Sequence, residues 1–196
     1  MLTAVTLLML GSALPVIAAA HEYDAKKTSI TATGKTHTFT AGEAVITCEK
    51  AEFKWTGTEG KHPTIDVTPA YSECTVLENK ATVTVENGAQ FEFGVPHELK
   101  PSEFSFTSSI VGGATAKLKV TAEIGGEHCE VVFPAQTLTG EATKFINNGL
   151  LNGGEVKSKL EKVEYKSNSK CAGFVGEKGK NGKYEGNAVE MGLIIE

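Results

Sequence analysis

The strongest constraint on what this chain can fold into is an alternation of apolar and polar side chains with a period of two. Ile46 and Cys48 alternate with Val45, Thr47 and Glu49, and Ala51, Phe53 and Trp55 follow at every second position. Ala81, Val83 and Val85 alternate with Thr82, Thr84 and Glu86, and Phe91, Phe93 and Val95 continue the spacing. Phe104, Phe106, Ser108 and Ile110 line one face, and Ala116, Leu118, Val120, Ala122 and Ile124 another. Neighbouring residues of a strand point to opposite faces, so such runs, broken by Gly or Asn-Gly, read as half-buried antiparallel strands. The 22 threonines and 21 glycines point the same way, toward strands and tight turns. The predicted fold is all-β: an antiparallel β-sandwich of about ten strands, with immunoglobulin-like or jelly-roll connectivity.

Register arithmetic sharpens two connections. A three-residue link at Asn87-Gly88-Ala89 pairs Val85 with Phe91, Val83 with Phe93 and Ala81 with Val95, all apolar. The same count at Gly112-Gly113-Ala114 pairs Ile110 with Ala116, Ser108 with Leu118, Phe106 with Val120 and Phe104 with Ala122. Both are expected to be hairpins. Glu155 to Tyr165 mixes helical and strand spacing, and the surrounding glycines favour a strand with a change of phase. Gly173, Gly176, Gly179 and Gly182 suggest a surface loop closed by Cys171. A weak internal similarity links the halves 34–100 and 101–196: each carries a cysteine, a tyrosine, a second cysteine and an Asn-Gly turn before an aromatic. Duplication and simple recurrence both explain it. No Pro- or Ser-rich linker divides the halves, so residues 21–196 are expected to form one domain.

Residues 1–20 carry no charge, hold an apolar core from Leu2 to Leu10 and end in Ala18-Ala19-Ala20. This matches a signal peptide cleaved before His21, although no lysine precedes the core. The apolar run is too short to span a membrane, and no integral anchor is expected. In an oxidising compartment the four cysteines read as two disulfides. Three connectivities are open; Cys48–Cys74 with Cys129–Cys171 is favoured because each would tie one half of the chain together. The expected location is extracellular or at the cell wall.

Candidate chemistry is sparse. His21, at the expected mature N-terminus, could bind copper through its amine and ring, with His37, His62, His97 or His128 as a second ligand; a frayed terminus is the plainer alternative. Trp55 is either a sugar-stacking platform or, as a lone tryptophan usually is, part of the core. His128 beside Cys129 reads as a surface histidine. A Ser-His-Asp triad could draw only on Asp24 or Asp66, and Asp66 alternates with apolar residues as an exposed strand position. There is no Gly-x-Ser-x-Gly elbow and no Cys-x-x-Cys. The chain has no arginine, and its lysines between 157 and 183 are interleaved with glutamates, which argues against nucleic acid.

The run Gly34-Lys35-Thr36-His37-Thr38-Phe39-Thr40-Ala41-Gly42 leads into Ala44-Val45-Ile46-Thr47-Cys48-Glu49. Val67-Thr68-Pro69-Ala70-Tyr71-Ser72-Glu73-Cys74, Asn87-Gly88 and Cys129-Glu130-Val131-Val132-Phe133-Pro134-Ala135-Gln136 follow. Together these segments resemble secreted hypothetical proteins of soil actinobacteria, over most of the chain after residue 20. Members of that group often carry a further cysteine pair; Ala89 stands where one of those cysteines is expected. The resemblance implies no activity, cofactor or ligand. The expected function is therefore a secreted or wall-associated non-catalytic binding or scaffold module, without a cofactor or metal. Its partner would be an extracellular glycan or another surface protein. The alternatives are a polysaccharide-active enzyme, using copper at His21 or paired glutamates, and a self-assembling surface protein.

Overall fold

The computed structural model describes residues 20–148, 153–171 and 173–196. The expected signal peptide lies outside them except for Ala20. Five long strands form one antiparallel wall: β2 (Ser29–Ala41), β3 (Ala44–Thr56), β5 (Ile65–Val76), β13 (Gly153–Ser167) and β14 (Lys178–Met191), in the order β5-β3-β2-β14-β13. At one end of this wall, β5 pairs with β7 (Gln90–Phe93), β7 with β9 (Glu103–Val111), β9 with β12 (Gln136–Asn148), and β12 with β13. At the other end, β5 pairs with β6 (Asn79–Glu86), β6 with β10 (Lys117–Ile124), β10 with β11 (Glu127–Pro134), and β11 with β13.

The chain thus winds up and down through eight staves and closes where Lys183, Tyr184 and Glu185 of β14 pair with Thr40, Phe39 and Thr38 of β2. Three staves are broken at mid-height: β6/β7 at residues 87–89, β9/β10 at 112–116 and β11/β12 at Ala135. The expected all-β class holds, but the sheet closes into a barrel with additional strands instead of facing a second sheet. Alternation marks one dry face per strand, which a sandwich and a barrel share. Only the long-range β14–β2 pairing distinguishes them.

The two expected hairpins are corrected for a related reason. Asn87-Gly88-Ala89 and 112–116 are breaks within staves, and β6 does not turn back onto β7. Val85, Val83 and Ala81 pair with Leu118, Val120 and Ala122, while Phe91 and Phe93 pair with Ile110 and Ser108. These pairings also bury apolar residues together, so matching faces alone could not separate them from the hairpin register. The segment 155–165 is indeed a strand with a phase change: β13 slips register on either side of Val163, next to Lys162 at φ 57°. Gly179 and Gly182 belong to β14, not to a loop, and lie against Tyr165. The halves 34–100 and 101–196 contribute to the same closed barrel.

Both expected disulfides form. Cys48 and Cys74 sit directly opposite each other on β3 and β5. Cys129 on β11 holds the short 3-10 turn η1 (Ser169–Cys171), and Phe174 accepts a bond from the Glu43 N–H at the adjacent barrel end. The opposite end carries a small sheet of β15 (Leu193–Ile195), β1 (Tyr23–Ala25) and β4 (Gly60–His62). Tyr23 anchors it by donating from its hydroxyl to Gly94 O at 2.9 Å and packing edge-on against Phe106.

Apolar residues fill the bore, whereas outward positions carry side chains such as Lys54, Glu52, Thr68, Lys183 and Glu185. That is the inverse of a lipid-embedded barrel, which turns its apolar band outward. Among the described residues no helix is long and apolar enough to cross a membrane.

Candidate functional site

The bore is not filled evenly. On β14 the inward positions are Tyr184, Gly186, Ala188 and Glu190. Ala32 on β2 and Ser158 on β13 add further small side chains beside them. Without bulk at these positions a narrow cavity of about 40 Å3 remains between the centre of the barrel and the β15 end. Its walls are chiefly Phe53, Trp55, Val67, Phe91, Phe93 and Leu160. At its inner end Phe91 stacks on Tyr184, with ring centroids 5.7 Å apart and planes at 28°.

Glu190 is the anomaly in this lining. Alternation over Val189, Glu190 and Met191 would turn the two apolar residues inward. The barrel does the opposite: Val189 and Met191 are 47% and 58% exposed, and Glu190 is 3% exposed. Its Oε2 accepts the Leu193 N–H at 2.9 Å, while Oε1 is buried without a hydrogen-bond partner. Burial raises its pKa to about 7, opposed by backbone donors at Leu193 and Gly154 and by the charge of Lys27. An unsatisfied buried acceptor is costly, and such violations of local pattern concentrate at functional sites.

His37 forms the second polar feature. The ladder between β2 and β14 is interrupted between Glu185 and Val189, and Thr36 adopts φ 55° nearby. The His37 ring fills this interruption. Its Nε2 lies 2.9 Å from Asn187 O, and its Nδ1 lies 2.8 Å from the Tyr184 hydroxyl. A carbonyl can only accept, so Nε2 carries the proton and Nδ1 accepts from Tyr184. Tyr71 in turn donates to Tyr184 at 3.3 Å. Burial lowers the His37 pKa, against the Asn187 bond, and raises those of Tyr71 and Tyr184. The chain Tyr71–Tyr184–His37–Asn187 is therefore neutral and satisfied. Gly34 and Gly186 are required here, because a Cβ at either would come within 2.3 Å of the imidazole.

On β9, β12 and β13, the buried Ser108 and Thr143 and the half-buried Ser158 make a further ladder, with oxygens 2.7 and 3.3 Å apart. These hydroxyls satisfy one another.

The residues singled out from sequence are dispersed. His21 lies 3.6 Å from Glu98 and edge-on to Phe104. His37 is inside the barrel wall. His62 bonds Thr58 O and meets Trp55 edge-on, and His128 bonds Glu123 beside the Cys129 disulfide. Asp66 is exposed on β5, as its spacing implied. Among the described residues no group of three His, Cys, Asp or Glu side chains is placed to hold a metal. Trp55 is buried and lines the cavity, and Gly57 lies close against its ring. Sequence reasoning did not find Glu190, although Val189-Glu190-Met191 carries a signal: a charge flanked by apolar residues at the end of an otherwise polar-faced strand. No family model, curated protein or solved structure matches the chain.

Proposed function

We propose that this chain is a secreted or cell-wall-associated, non-catalytic binding module that encloses a small apolar ligand within its barrel. The carrying observation is the apolar cavity with an unpartnered Glu190 oxygen at its border. Eight-stranded barrels have an interior just wide enough to be filled by side chains or to hold one small ligand. Here the small residues of β14 favour the second use. Export is supported by the two disulfides and by the uncharged apolar start of the chain. Origin among exported actinobacterial proteins fits the same reading. A polysaccharide-active enzyme has less support, because Trp55 offers no exposed ring to stack on a sugar and His21 is engaged by Glu98 and Phe104.

Trp55 is the sole tryptophan and lines the cavity, so its fluorescence reports on occupancy. Titrating the exported protein with short aliphatic molecules should shift Trp55 emission saturably and raise the thermal unfolding temperature. If no such molecule alters either signal, while cell-wall glycan captures the protein, the interior-ligand reading is wrong.

A further inference from the structure

We infer that the outer face of the barrel carries a second binding site, for an uncharged oligosaccharide, in a cleft that crosses β5, β3, β2 and β14. This goes beyond the interior-ligand reading and does not depend on it.

The cleft comes from a crease in the long wall. β2 and β5 each pass through a left-handed residue there, Thr36 and Glu73, both at φ 55°. The ladder between β2 and β14 is open between Glu185 and Val189. Gly34 stands at this opening and brings no side chain to fill it. The resulting cleft measures about 680 Å3, inside the range of roughly 300–1,000 Å3 that small-ligand sites occupy. Gly34, Ala51, Ala188 and the half-buried Tyr71 form its floor. Outward side chains stand over that floor in two cross-strand rows. Val189, Thr33, Glu52 and Ala70 are successive neighbours in one row. Lys35, Lys50 and Ser72 are neighbours in the other, and Asn187 lines its β14 end. Four adjacent strands span about 14 Å, which suits an extended ligand.

The class of ligand follows from what these rows leave unpaired. Lys35 and Lys50 lie directly opposite each other, an arrangement that costs stability. Lys50 is paired with Glu73. Lys35 and Glu52 have no ion-pair partner among the described residues, and the Thr33 and Ser72 hydroxyls have no hydrogen-bond partner there. All four side chains belong to exposed residues. The ammonium only donates, the carboxylate only accepts, and the hydroxyls do both. The charges balance, Lys35 and Lys50 against Glu52 and Glu73. An anion would meet the two carboxylates and a cation the two ammonium groups. Neighbouring sugar hydroxyls each donate and accept, so they serve Lys35 and Glu52 together without adding charge. The C–H faces of a sugar match Val189, Ala70 and the small residues of the floor.

The test titrates the full exported chain with neutral hexasaccharides of glucose, xylose and N-acetylglucosamine, beside an oligogalacturonate of equal length. Calorimetry gives the dissociation constants and backbone amide shifts give the location. At least one neutral hexasaccharide should bind saturably, with shifts concentrated at residues 33–35, 50–52, 70–72 and 187–189. Lys35→Ala and Glu52→Ala should each weaken it about fivefold or more, the worth of one hydrogen bond. Both positions are exposed, so circular dichroism should show both variants folded. Lys183→Ala, outward on β14 but outside the cleft, should leave the affinity unchanged. Trp55 lines the bore and not the cleft, so its emission should stay constant with sugar. No binding of any neutral hexasaccharide, tighter binding of oligogalacturonate, or an affinity that both cleft variants leave unmoved would overturn the assignment. Each of these results would leave interior binding intact, whereas a Trp55 signal that no aliphatic molecule shifts would remove the interior reading alone.

Discussion

Glu190 makes the barrel's stability depend on pH in a direction opposite to that of most carboxylates. Its folded pKa is about 7 against an ordinary value of 4.5. Between those values the folded chain holds a proton that the unfolded chain releases, so stability falls as pH rises through that window and stays low above it. The full shift corresponds to about 3 kcal/mol, of which Gln at this position should recover roughly 1–3 kcal/mol, since its amide oxygen still accepts from Leu193. His37 acts in the other sense. Its lowered pKa makes the unfolded chain bind a proton first as pH drops below 6.5, so its contribution is lost in acid. Comparing Glu190→Gln with the unaltered protein cancels the His37 contribution. Urea unfolding at pH 8.5 should show the variant more stable, and the difference should vanish near pH 4. A constant difference across that range would mean that Glu190 titrates normally. The residue escaped sequence reasoning because Val189 and Met191 beside it invert the usual pattern, and alternation assigns faces by majority.

Among the elements, the breaks in the staves mark where local rules stop being sufficient. Where β11 gives way to β12, the ladder to β13 opens, and Gln136 fills it. Its Nε2 donates to Glu164 O at 3.0 Å and to Pro134 O at 3.1 Å, while its Oε1 accepts the Glu164 N–H at 2.7 Å. A side-chain amide thus replaces backbone pairing across a seam. Gln136→Leu would leave the Glu164 N–H and carbonyl without these partners and should cost about 1–3 kcal/mol, read by thermal unfolding, with faster amide exchange at Glu164. Unchanged exchange there would show that the seam is held by other contacts. Most strand faces were legible: Phe104, Phe106, Ser108 and Ile110 all turn inward, as do Ala116, Leu118, Val120 and Ala122. Both cysteine pairs were legible too, because each closes a segment within one half of the chain. What the pattern could not convey was which strand lies beside which. Val85 against Phe91 and Val85 against Leu118 are equally apolar, and only the closure of the whole sheet selects the second.

For the molecule as a whole, closure by β14 against β2 brings together residues far apart in sequence, and the small end sheet does the same for residues 22–25 and 193–196. Glu22 N–H donates to Glu196 O at 3.0 Å, and Glu196 N–H returns the bond to Glu22 O at 3.1 Å. Tyr23, Asp24 and Ala25 pair with Ile195, Ile194 and Leu193, so this pairing also covers the cavity end near Glu190. If the barrel is held by this closed ladder and not by the order in which its strands are made, the chain can be cut elsewhere. Gly125-Gly126 is a suitable point: both residues have positive φ, the turn joins β10 to β11, and a Cβ at either would meet open space. A permutant with His21 and Glu196 joined through a short Gly/Ser linker and new ends at Gly125-Gly126 should keep both disulfides and its near-ultraviolet dichroism. Its melting temperature should lie within about 5 °C of the parent, since only one turn is opened. The cavity should survive with it, so Trp55 should respond to the same aliphatic probes in both proteins. Loss of tertiary dichroism with both disulfides intact would show that continuity at the β10–β11 turn, and not the ring of paired staves, secures the barrel.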